Sequence, residues 1–364
     1  MASVLITGTS SGIGMATALA FGRAGHQVAA TMRNPDRAPE LARIATQEKL
    51  PITISAMDVD SDASVKEGIG RIVKAGGPVD VLVNNAGIER TGSVEELSLA
   101  EFRAVMETNY FGAIRCIQAV LPTMRQRRSG WIINVASVAG RIANSPMAPY
   151  TASKFALEAL SESLAQEAKP FNVRVAIVEP GIIDTAMARR VESAQTPSPY
   201  PQQRRFAAMF TASLKNPVPP SVVGEKVLEI VESGTWQLRH PVGPDAVPFL
   251  QWRKAMSDEE WVAWGALGDD AWYDRVKADF GMDARPNACR AVGSSEAQGR
   301  AARNSRASSR RSTFPMADLG NPGRNATRFG TLYAARCRRQ WSRISSSVTV
   351  MPLRVTTQAI TASP

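Results

Sequence analysis

The stretch Ser3-Val-Leu-Ile-Thr-Gly-Thr-Ser-Ser-Gly-Ile-Gly14 decides the fold that this sequence predicts. Its first five residues form an apolar run of strand length, and a helical pattern follows the glycines as far as Ala24. Gly25 then fits the end of that helix, and residues 27–31 form a second apolar run. The order of strand, glycine turn, helix and strand predicts one right-handed βαβ unit.

The same alternation continues along the chain. The predicted strands are nearly continuous runs of Val, Ile and Leu, which is typical of a parallel sheet covered on both faces. We therefore expect an α/β fold, a Rossmann-type doubly wound parallel sheet of about seven strands with helices on both faces. The further strands are expected at residues 52–57, 79–83, 131–135, 173–178 and 235–240, and the further helices at 35–50, 61–75, 99–127 (one long helix or two), 150–169 and 221–233.

The segment 184–220 interrupts this pattern because it is rich in proline, alanine, glutamine and arginine. A long irregular segment in a compact domain is usually an active-site lid or disordered, and we expect a lid here. Four tryptophans between 252 and 272 lie in a helical region that we expect to end near Phe280. They are expected to pack these helices onto the body, or alternatively to line a substrate mouth or a subunit contact. Residues 1–283 would then form one catalytic domain.

The net charge of +10 comes from the C-terminal segment 284–364, which contains 14 arginines, no lysine and two acidic residues. This segment has few periodic apolar positions, and its composition predicts disorder. Read-through of a GC-rich message in an unrelated frame, or an extension without function, would explain the missing lysines. An arginine-rich tail can also bind nucleic acid through phosphates, but the absence of lysine disfavours that interpretation.

The remaining composition excludes several classes of protein. No apolar run approaches the ~20 residues of a membrane span, and no basic segment precedes the first apolar run as in a signal peptide. The three cysteines are widely separated, and the two histidines offer little material for a zinc site or a Ser-His-Asp triad. We expect a cytoplasmic protein without a metal ion.

The glycine turn after the first strand predicts a dinucleotide site. Gly8, Gly12 and Gly14 would let the backbone approach a pyrophosphate, and the free amides at the helix N-terminus would attract its charge. Ser10, Ser11 and Ile13 complete this predicted contact. The alternative is a tight turn without a ligand.

The end of the second strand favours NADP(H) over NAD(H). A carboxylate at this position would bind the ribose hydroxyls and repel a 2′-phosphate, but the sequence here is Thr31-Met-Arg-Asn34. Arg33 can pair with a phosphate, and Ser11 can add a hydroxyl. The alternative for Arg33 is a solvated surface side chain.

A tyrosine and a lysine four residues apart, Tyr150 and Lys154, would lie on one face of a helix. A nearby ammonium lowers the pKa of a phenol, so the pair predicts an acid/base group for a hydroxyl proton. By itself such a pair also occurs as an ordinary helix surface pair, so the assignment depends on the surrounding motifs.

Together these motifs resemble the short-chain dehydrogenase/reductase family, from about residue 3 to residue 185. The segment 284–364 lies outside the resemblance. The motifs occur in the family's order at the expected strand ends, and the tyrosine of the site follows its serine at a spacing of 13. They are Thr7-Gly8-x-x-x-Gly12-Ile-Gly14, Asn84-Asn85-Ala86-Gly87, Asn109, Ser137, Tyr150-x-x-x-Lys154 and Pro180-Gly181-x-x-x-Thr185.

The resemblance implies a catalytic set of four residues. Tyr150 would be the acid/base on the substrate oxygen, and Lys154 would bind the nicotinamide ribose and lower the pKa of Tyr150. Ser137 would donate to the substrate oxygen. Asn109 would hold the helix distortion and the water through which Lys154 exchanges protons.

The resemblance also implies a set of cofactor contacts, with hydride moving between nicotinamide C4 and the substrate carbon. Tyr150 and Lys154 belong to this set as well. The others are Asp58 and Val59 at the adenine, Asn85, Ala86 and Gly87 at the adenosine, and Pro180, Gly181, Ile183 and Thr185 at the carboxamide.

The substrate that the sequence favours is a hydrophobic alcohol or ketone, similar to those of the hydroxysteroid and retinol dehydrogenase branch. The basis is a set of apolar or soft side chains expected to wall the pocket. These are Val138, Ala139, Ile142, Ala143, Met147, Met187, Met209 and Phe210.

Two other classes of protein fit the sequence less well than this enzyme. A non-catalytic NADP(H)-binding redox sensor could lose Ser137, Tyr150 or Lys154, yet all three are present. A sugar-nucleotide epimerase or dehydratase of the extended branch would carry a differently spaced glycine motif and a larger C-terminal domain. The family resemblance also implies a homodimer or homotetramer, formed through the helices at 99–127 and 150–169.

Overall fold

The computed structural model describes residues 1–193 and 197–286, and its centre is one parallel sheet of seven strands. In chain order the strands are β1 (Ser3–Thr7), β2 (Gln27–Met32), β3 (Ile52–Ala56), β4 (Val81–Asn84), β5 (Gly130–Val135), β6 (Val173–Pro180) and β7 (Arg239–Val242). They lie in the order β3-β2-β1-β4-β5-β6-β7, and every neighbouring pair is parallel. The predicted doubly wound Rossmann-type sheet is confirmed. The strand order reverses between β1 and β4, where such sheets open a crevice at their carboxyl ends.

Helices cover both faces of this sheet. Between α4 and α5 the chain forms a π-helical turn at Glu107–Phe111, so the region 99–127, predicted as one long helix or two, contains two helices. The helices are α1 (Gly12–Arg23), α2 (Glu40–Gln47), α3 (Asp62–Gly76), α4 (Leu99–Met106), α5 (Gly112–Arg127), α6 (Ala148–Ala168), α7 (Ala186–Ser193), α8 (Gln202–Ser213), α9 (Ser221–Glu232), α10 (Ala246–Lys254), α11 (Asp258–Gly265) and α12 (Asp269–Phe280).

The core lies on both faces of the sheet because alternate strand residues point to opposite sides. Val4 and Ile6 of β1 pack with α1 and α9 on one face. Leu5, between them, packs with α3, α5 and α6 on the other face. All three side chains are fully buried, which explains why the strand is apolar throughout.

The structure differs from the sequence prediction in three places. The segment 184–220, predicted to be irregular, contains helices α7 and α8, because its prolines lie between the helices or at their ends. The last strand begins at Arg239 and not at residue 235. The helix predicted at 35–50 is a short 3₁₀ turn followed by α2, which starts directly after Pro39.

The predicted arginine-rich tail lies outside the described residues from residue 287 onward. Its first three positions, 284–286, are described: Ala284 is buried, and Arg285 pairs with Asp274 at 2.8 Å. None of the helices in the two described ranges combines the length and the apolar character that a membrane crossing requires.

Helices α1 and α9 pack backbone against backbone at Gly224, which generates a prediction about stability. A Cβ at Gly224 would lie 2.8 Å from the carbonyl carbon of Ala16. We expect Gly224→Ala to lower the free energy of unfolding by about 1–3 kcal/mol, because the helices must separate. Chemical denaturation measures this change.

The matched control is Gly70→Ala on the exposed face of α3, where an added Cβ would meet nothing within 4 Å. There we expect a gain of up to about 1 kcal/mol from the higher helix propensity of alanine. A Gly224→Ala protein as stable as the Gly70→Ala protein would contradict this account of the α1–α9 contact.

Candidate active site

One cavity of about 830 Å³ lies at the carboxyl ends of the strands. Residues that follow six different strands line it, as parallel strands bring these positions to one edge. Every cofactor residue predicted from the sequence lines this cavity, as do Ser137, Tyr150 and Lys154. Asn109 does not line the cavity but bonds to Ser153, the residue before Lys154. The six strand-end positions are Gly8, Arg33, Asp58, Asn85, Ser137 and Gly181.

The glycine turn lies directly against the loop that follows β4. Gly8 has φ +71°, and a Cβ there would lie 2.7 Å from the Cα of Ala86. A Cβ on Gly14 would lie 2.3 Å from the carbonyl oxygen of Gly8. Asn85 joins the two loops, because its Nδ2 donates to the carbonyl oxygens of Thr7 (2.9 Å) and Gly8 (3.1 Å).

The first turn of α1 faces the cavity with amides that no side chain caps. Ser11 occupies the N-cap position, but its hydroxyl makes no capping bond. The first amides of a helix lack internal partners and attract anions. Together with the glycine cradle, this arrangement fits the pyrophosphate of a dinucleotide.

Tyr150, near the start of α6, lies close to Ser137, which follows β5. The Ser137 hydroxyl accepts from the amide of Ala139 at 3.1 Å and donates to the carbonyl of Pro180 at 3.3 Å. Burial raises the pKa of Tyr150 to about 12, although the neighbouring Ser137 hydroxyl opposes this rise. The lowered pKa expected from the sequence is therefore not found, because the cost of burying a phenolate exceeds the stabilisation from its neighbours.

Lys154 lies one turn further along α6 and is buried. Its Nζ donates to the carbonyl of Val135 at 2.8 Å and lies 5.6 Å from the centre of the Tyr150 ring. Burial lowers the pKa of Lys154 to about 8, and the charge of Glu158 opposes the fall. The ammonium is thus held inside the fold between the tyrosine and a carboxylate.

Asn109 lies within the π-helical turn between α4 and α5. Its Oδ1 accepts from the amide of Ile88 at 2.8 Å, and its Nδ2 donates to the carbonyl of Ile88 and to the hydroxyl of Ser153, both at 2.9 Å. Since Ser153 precedes Lys154 on α6, Asn109 ties the loop after β4 to the helix that carries Tyr150 and Lys154.

Behind Lys154 lies a carboxyl pair that sequence reasoning missed. Glu158, one further turn along α6, and Glu179, in β6, are both buried, and each leaves one oxygen without a partner among the described residues. Arg239 pairs with Glu158 at 3.0 Å, and Arg141 with Glu179 at 3.2 Å. Burial and the charge of Glu179 raise the pKa of Glu158 above its ordinary range. The spacing of four from Lys154 to Glu158 was the available signal.

Asp245 also supports the site without having been predicted. A Cβ on Gly181 would lie 2.1 Å from Asp245 Oδ1, and Asp245 Oδ2 accepts from the amide of Ile182 at 2.7 Å. Asp245 thus fastens the loop after β6, which lines the cavity. No motif connects residues so far apart in the chain.

Arg33 follows β2 and lines the cavity with an exposed side chain. It forms no ion pair within the described residues. Asp60, also on the cavity wall, accepts from the hydroxyl of Thr108 at 3.0 Å, and its pKa is raised by burial. Arg33 therefore lies at the end of the cavity where the adenosine of the predicted cofactor would bind.

The other part of the cavity is apolar. All eight wall residues named from the sequence line it. Further aromatic side chains on the wall come from α8 and from the C-terminal helices. They are Phe206, Phe249, Trp252, Trp261, Trp264, Trp272 and Phe280.

These aromatic residues also pack against one another. Trp261 stacks on Trp264 with ring centres 5.5 Å apart, and Trp252 lies edge-on to both. The tryptophans therefore pack the C-terminal helices onto the body, as expected, and they also line the cavity.

Comparison with known proteins places this chain in a family. A family model described as short chain dehydrogenase matches residues 2–196. The chain is similar to retinol dehydrogenase 8 of Bos taurus, with 42% identity over 208 residues that cover 55% of this chain and 66% of that protein, slightly less than two thirds of its length. It is also similar to 3-ketodihydrosphingosine reductase of Bacteroides thetaiotaomicron, with 34% identity over 248 residues that cover 66% of this chain and 87% of that protein.

Solved structures give the same result. A variant of actinorhodin polyketide ketoreductase with NADPH superposes with a TM-score of 0.60 at 28% identity, and covers 67% of this chain and 97% of that one. With the family model matching more than half of its length, the chain belongs to the short-chain dehydrogenase family of oxidoreductases.

Proposed function

We propose that the protein is an NADP(H)-dependent oxidoreductase that interconverts a hydrophobic ketone and its alcohol. One observation carries the proposal: Ser137, Tyr150 and Lys154 share a single cavity with the glycine cradle and with an apolar, aromatic wall. The cradle fits a dinucleotide, and the wall fits a hydrocarbon body. The three polar side chains lie between a cofactor site and a substrate site.

In this proposal Tyr150 is the acid in the direction of reduction. A pKa of about 12 keeps the phenol protonated at neutral pH, which is the form that donates to a carbonyl oxygen. Ser137 donates a second hydrogen bond to the same oxygen as charge develops there. The bound cofactor supplies the hydride.

Lys154 stabilises the tyrosinate that remains once the proton has left. Its ammonium is already buried near the Tyr150 ring, so it needs no rearrangement to act. Glu158 favours the charged form of Lys154. Asn109 holds the π-helical turn and the hydroxyl of Ser153, and thereby positions this part of α6.

We propose that the predicted cofactor residues hold the dinucleotide along the strand ends. Gly8, Gly12 and Gly14, with Ser10, Ser11 and Ile13, would bind the pyrophosphate. Arg33 would pair with the 2′-phosphate of NADP(H), since β2 ends without a carboxylate. The NADPH in the similar polyketide ketoreductase supports this choice. Asp58 and Val59 would contact the adenine, and Asn85, Ala86 and Gly87 would contact the adenosine. The nicotinamide carboxamide would be held by Pro180, Gly181, Ile183 and Thr185.

The substrate class follows from the apolar wall. Removal of a hydrocarbon body from water onto aliphatic and aromatic side chains is favourable, and few polar groups compete. Two similar proteins are named for retinol and for 3-ketodihydrosphingosine, which are both largely hydrocarbon.

We further propose a homo-oligomer formed through α4, α5 and α6. Three large apolar side chains, Leu99, Phe111 and Phe155, are exposed on these helices and on the turn between them. Exposed apolar surface of this kind marks contact with another protein surface.

Replacement of Tyr150 tests the acid. We expect Tyr150→Phe to reduce kcat for ketone reduction by about 10²–10⁴-fold, because the proton donor is removed. The Kd for NADPH, measured by fluorescence titration, should change little. Tyr200→Phe is the matched control, because Tyr200 bonds to Glu95 and does not line the cavity. Equal turnover in the two variants would refute the role of Tyr150.

Replacement of Arg33 tests the cofactor choice. We expect Arg33→Asp to raise KM for NADPH at least tenfold and to improve the use of NADH, because a carboxylate repels the 2′-phosphate and binds the ribose hydroxyls. Arg37→Asp, also exposed but away from the cavity, makes the same change in charge. An NADPH/NADH ratio that shifts equally in both variants would contradict the assignment.

Replacement of Phe155 tests the oligomer. We expect light scattering of the wild-type protein to give a dimer or tetramer, and Phe155→Glu to lower that mass because it places a charge in an apolar contact. Val73→Glu, on the exposed face of α3, should leave the mass unchanged. A wild-type monomer would contradict this proposal without affecting the catalytic one.

A further inference from the structure

Four residues that line the cavity each have one buried polar side-chain atom without a hydrogen-bond partner among the described residues. One is Asp60, which follows β3, and the other three lie on α8 and α11. These three atoms are Oε1 of Gln202, Nη1 of Arg205 and Nε1 of Trp264. All three residues line the cavity that contains Ser137 and Tyr150. Buried polar groups are nearly always paired in folded proteins, so each of the three needs a partner that the described residues do not supply.

The three side chains belong to one small region. Gln202 and Arg205 lie one turn apart on α8. Gln202 Nε2 donates to the carbonyl of Gly265, the neighbour of Trp264, at 3.3 Å. The guanidinium of Arg205 lies 6.0 Å from the ring centre of Trp272, whose ring is 5.6 Å from that of Trp264. Packing on a shared set of neighbours therefore holds the three side chains.

Each side chain is also fixed in its orientation. Arg205 is almost fully buried, and its Nε donates to Asp269 at 2.7 Å. Trp264 is held by the stacked ring of Trp261. The bond to Gly265 fixes the amide of Gln202, because the flipped amide would bring two carbonyl oxygens together. The unpartnered atoms cannot turn away without breaking these contacts.

The chemistry of the three atoms defines what they bind. Arg205 Nη1 and Trp264 Nε1 are donors, whereas Gln202 Oε1 is an acceptor. A ketone oxygen would satisfy the donors alone. Asp269 is shared between Arg204 and Arg205. A carboxylate would bring a negative charge to the Gln202 oxygen and has no donor to offer it. A hydroxyl both donates and accepts, so it suits all three.

We propose that Gln202, Arg205 and Trp264 form a hydroxyl-binding subsite in the substrate cavity. The preferred substrate is then an apolar ketone or alcohol that carries a second hydroxyl apart from the reacting carbon. This inference rests on the proposed function and specifies its substrate class. A site built to bond a hydroxyl discriminates against the analogue that lacks it, because its own polar groups stay unpaired.

Matched pairs of substrates test the subsite. The probes are ω-hydroxy-2-alkanones of increasing chain length, each compared with the 2-alkanone of the same length, with NADPH as reductant. Wild-type protein should prefer the hydroxylated member by about tenfold or more in kcat/KM at the length that spans the two sites. A series of ω-carboxy-2-alkanones forms a third arm, and preference for the carboxylate would overturn the assignment to a hydroxyl.

Variants assign the preference to the subsite. Gln202→Leu and Trp264→Phe should each lower the preference for the hydroxylated ketone, measured as the ratio of kcat/KM for the hydroxylated ketone to kcat/KM for the 2-alkanone of the same length. Gln203→Leu is the matched control, because Gln203 is the next residue of α8 and does not line the cavity. Circular dichroism verifies that each variant is folded. Because there are two independent variants, the test can still be made if one of them does not fold.

A binding measurement separates this inference from the proposed function. The quenching of tryptophan fluorescence reports Kd for each ketone in the presence of NADP⁺, whether or not turnover occurs. Equal Kd values for every pair, unchanged by Gln202→Leu, would overturn the subsite even if ketones are reduced. A clear preference in Kd without any turnover would support the subsite and overturn the proposed reaction.

Discussion

Close contact between the turn after β1 and the loop after β4 is the constraint on which the site depends. Side chains at Gly8 and Gly14 would collide with Ala86 and with the backbone of Gly8 itself. Without them, Asn85 can bond across both loops, and the first amides of α1 face the cavity. Backbone atoms therefore shape the crevice between β1 and β4, where the strand order reverses. Such a crevice suits a ligand with a narrow, charged group such as a pyrophosphate.

The second constraint is electrostatic and runs along α6. Tyr150, Lys154 and Glu158 follow one another at spacings of four; Tyr150 is half-buried, and Lys154 and Glu158 are buried. Burial of an isolated ammonium is costly, so the carboxylate behind it and the carbonyl of Val135 keep Lys154 charged. Arg141 and Arg239 in turn balance the buried carboxyl pair. The proposed chemistry therefore depends on Lys154, on the buried carboxyl pair and on its two arginines as well as on Tyr150.

The side chains proposed to select the substrate come from a different part of the chain. Helices α8, α10, α11 and α12 follow the sheet motifs and supply the aromatic wall. The same wall contains the unpartnered atoms of Gln202, Arg205 and Trp264. The sheet thus provides the site for the reaction, and the C-terminal helices provide the shape and the polar groups that would choose the substrate.

By itself the sequence determined the alternating α/β order, the glycine turn and the spacing of Ser137, Tyr150 and Lys154, because local patterns encode strands, helices and turns. The helices within 184–220 were missed, since prolines at helix ends resemble those of an irregular loop. Only the tertiary structure decided the raised pKa of Tyr150, the Glu158–Glu179 pair, the contact of Asp245 with Gly181 and the aromatic wall. Burial and long-range contacts produce these features, and neither is written in the spacing of nearby residues.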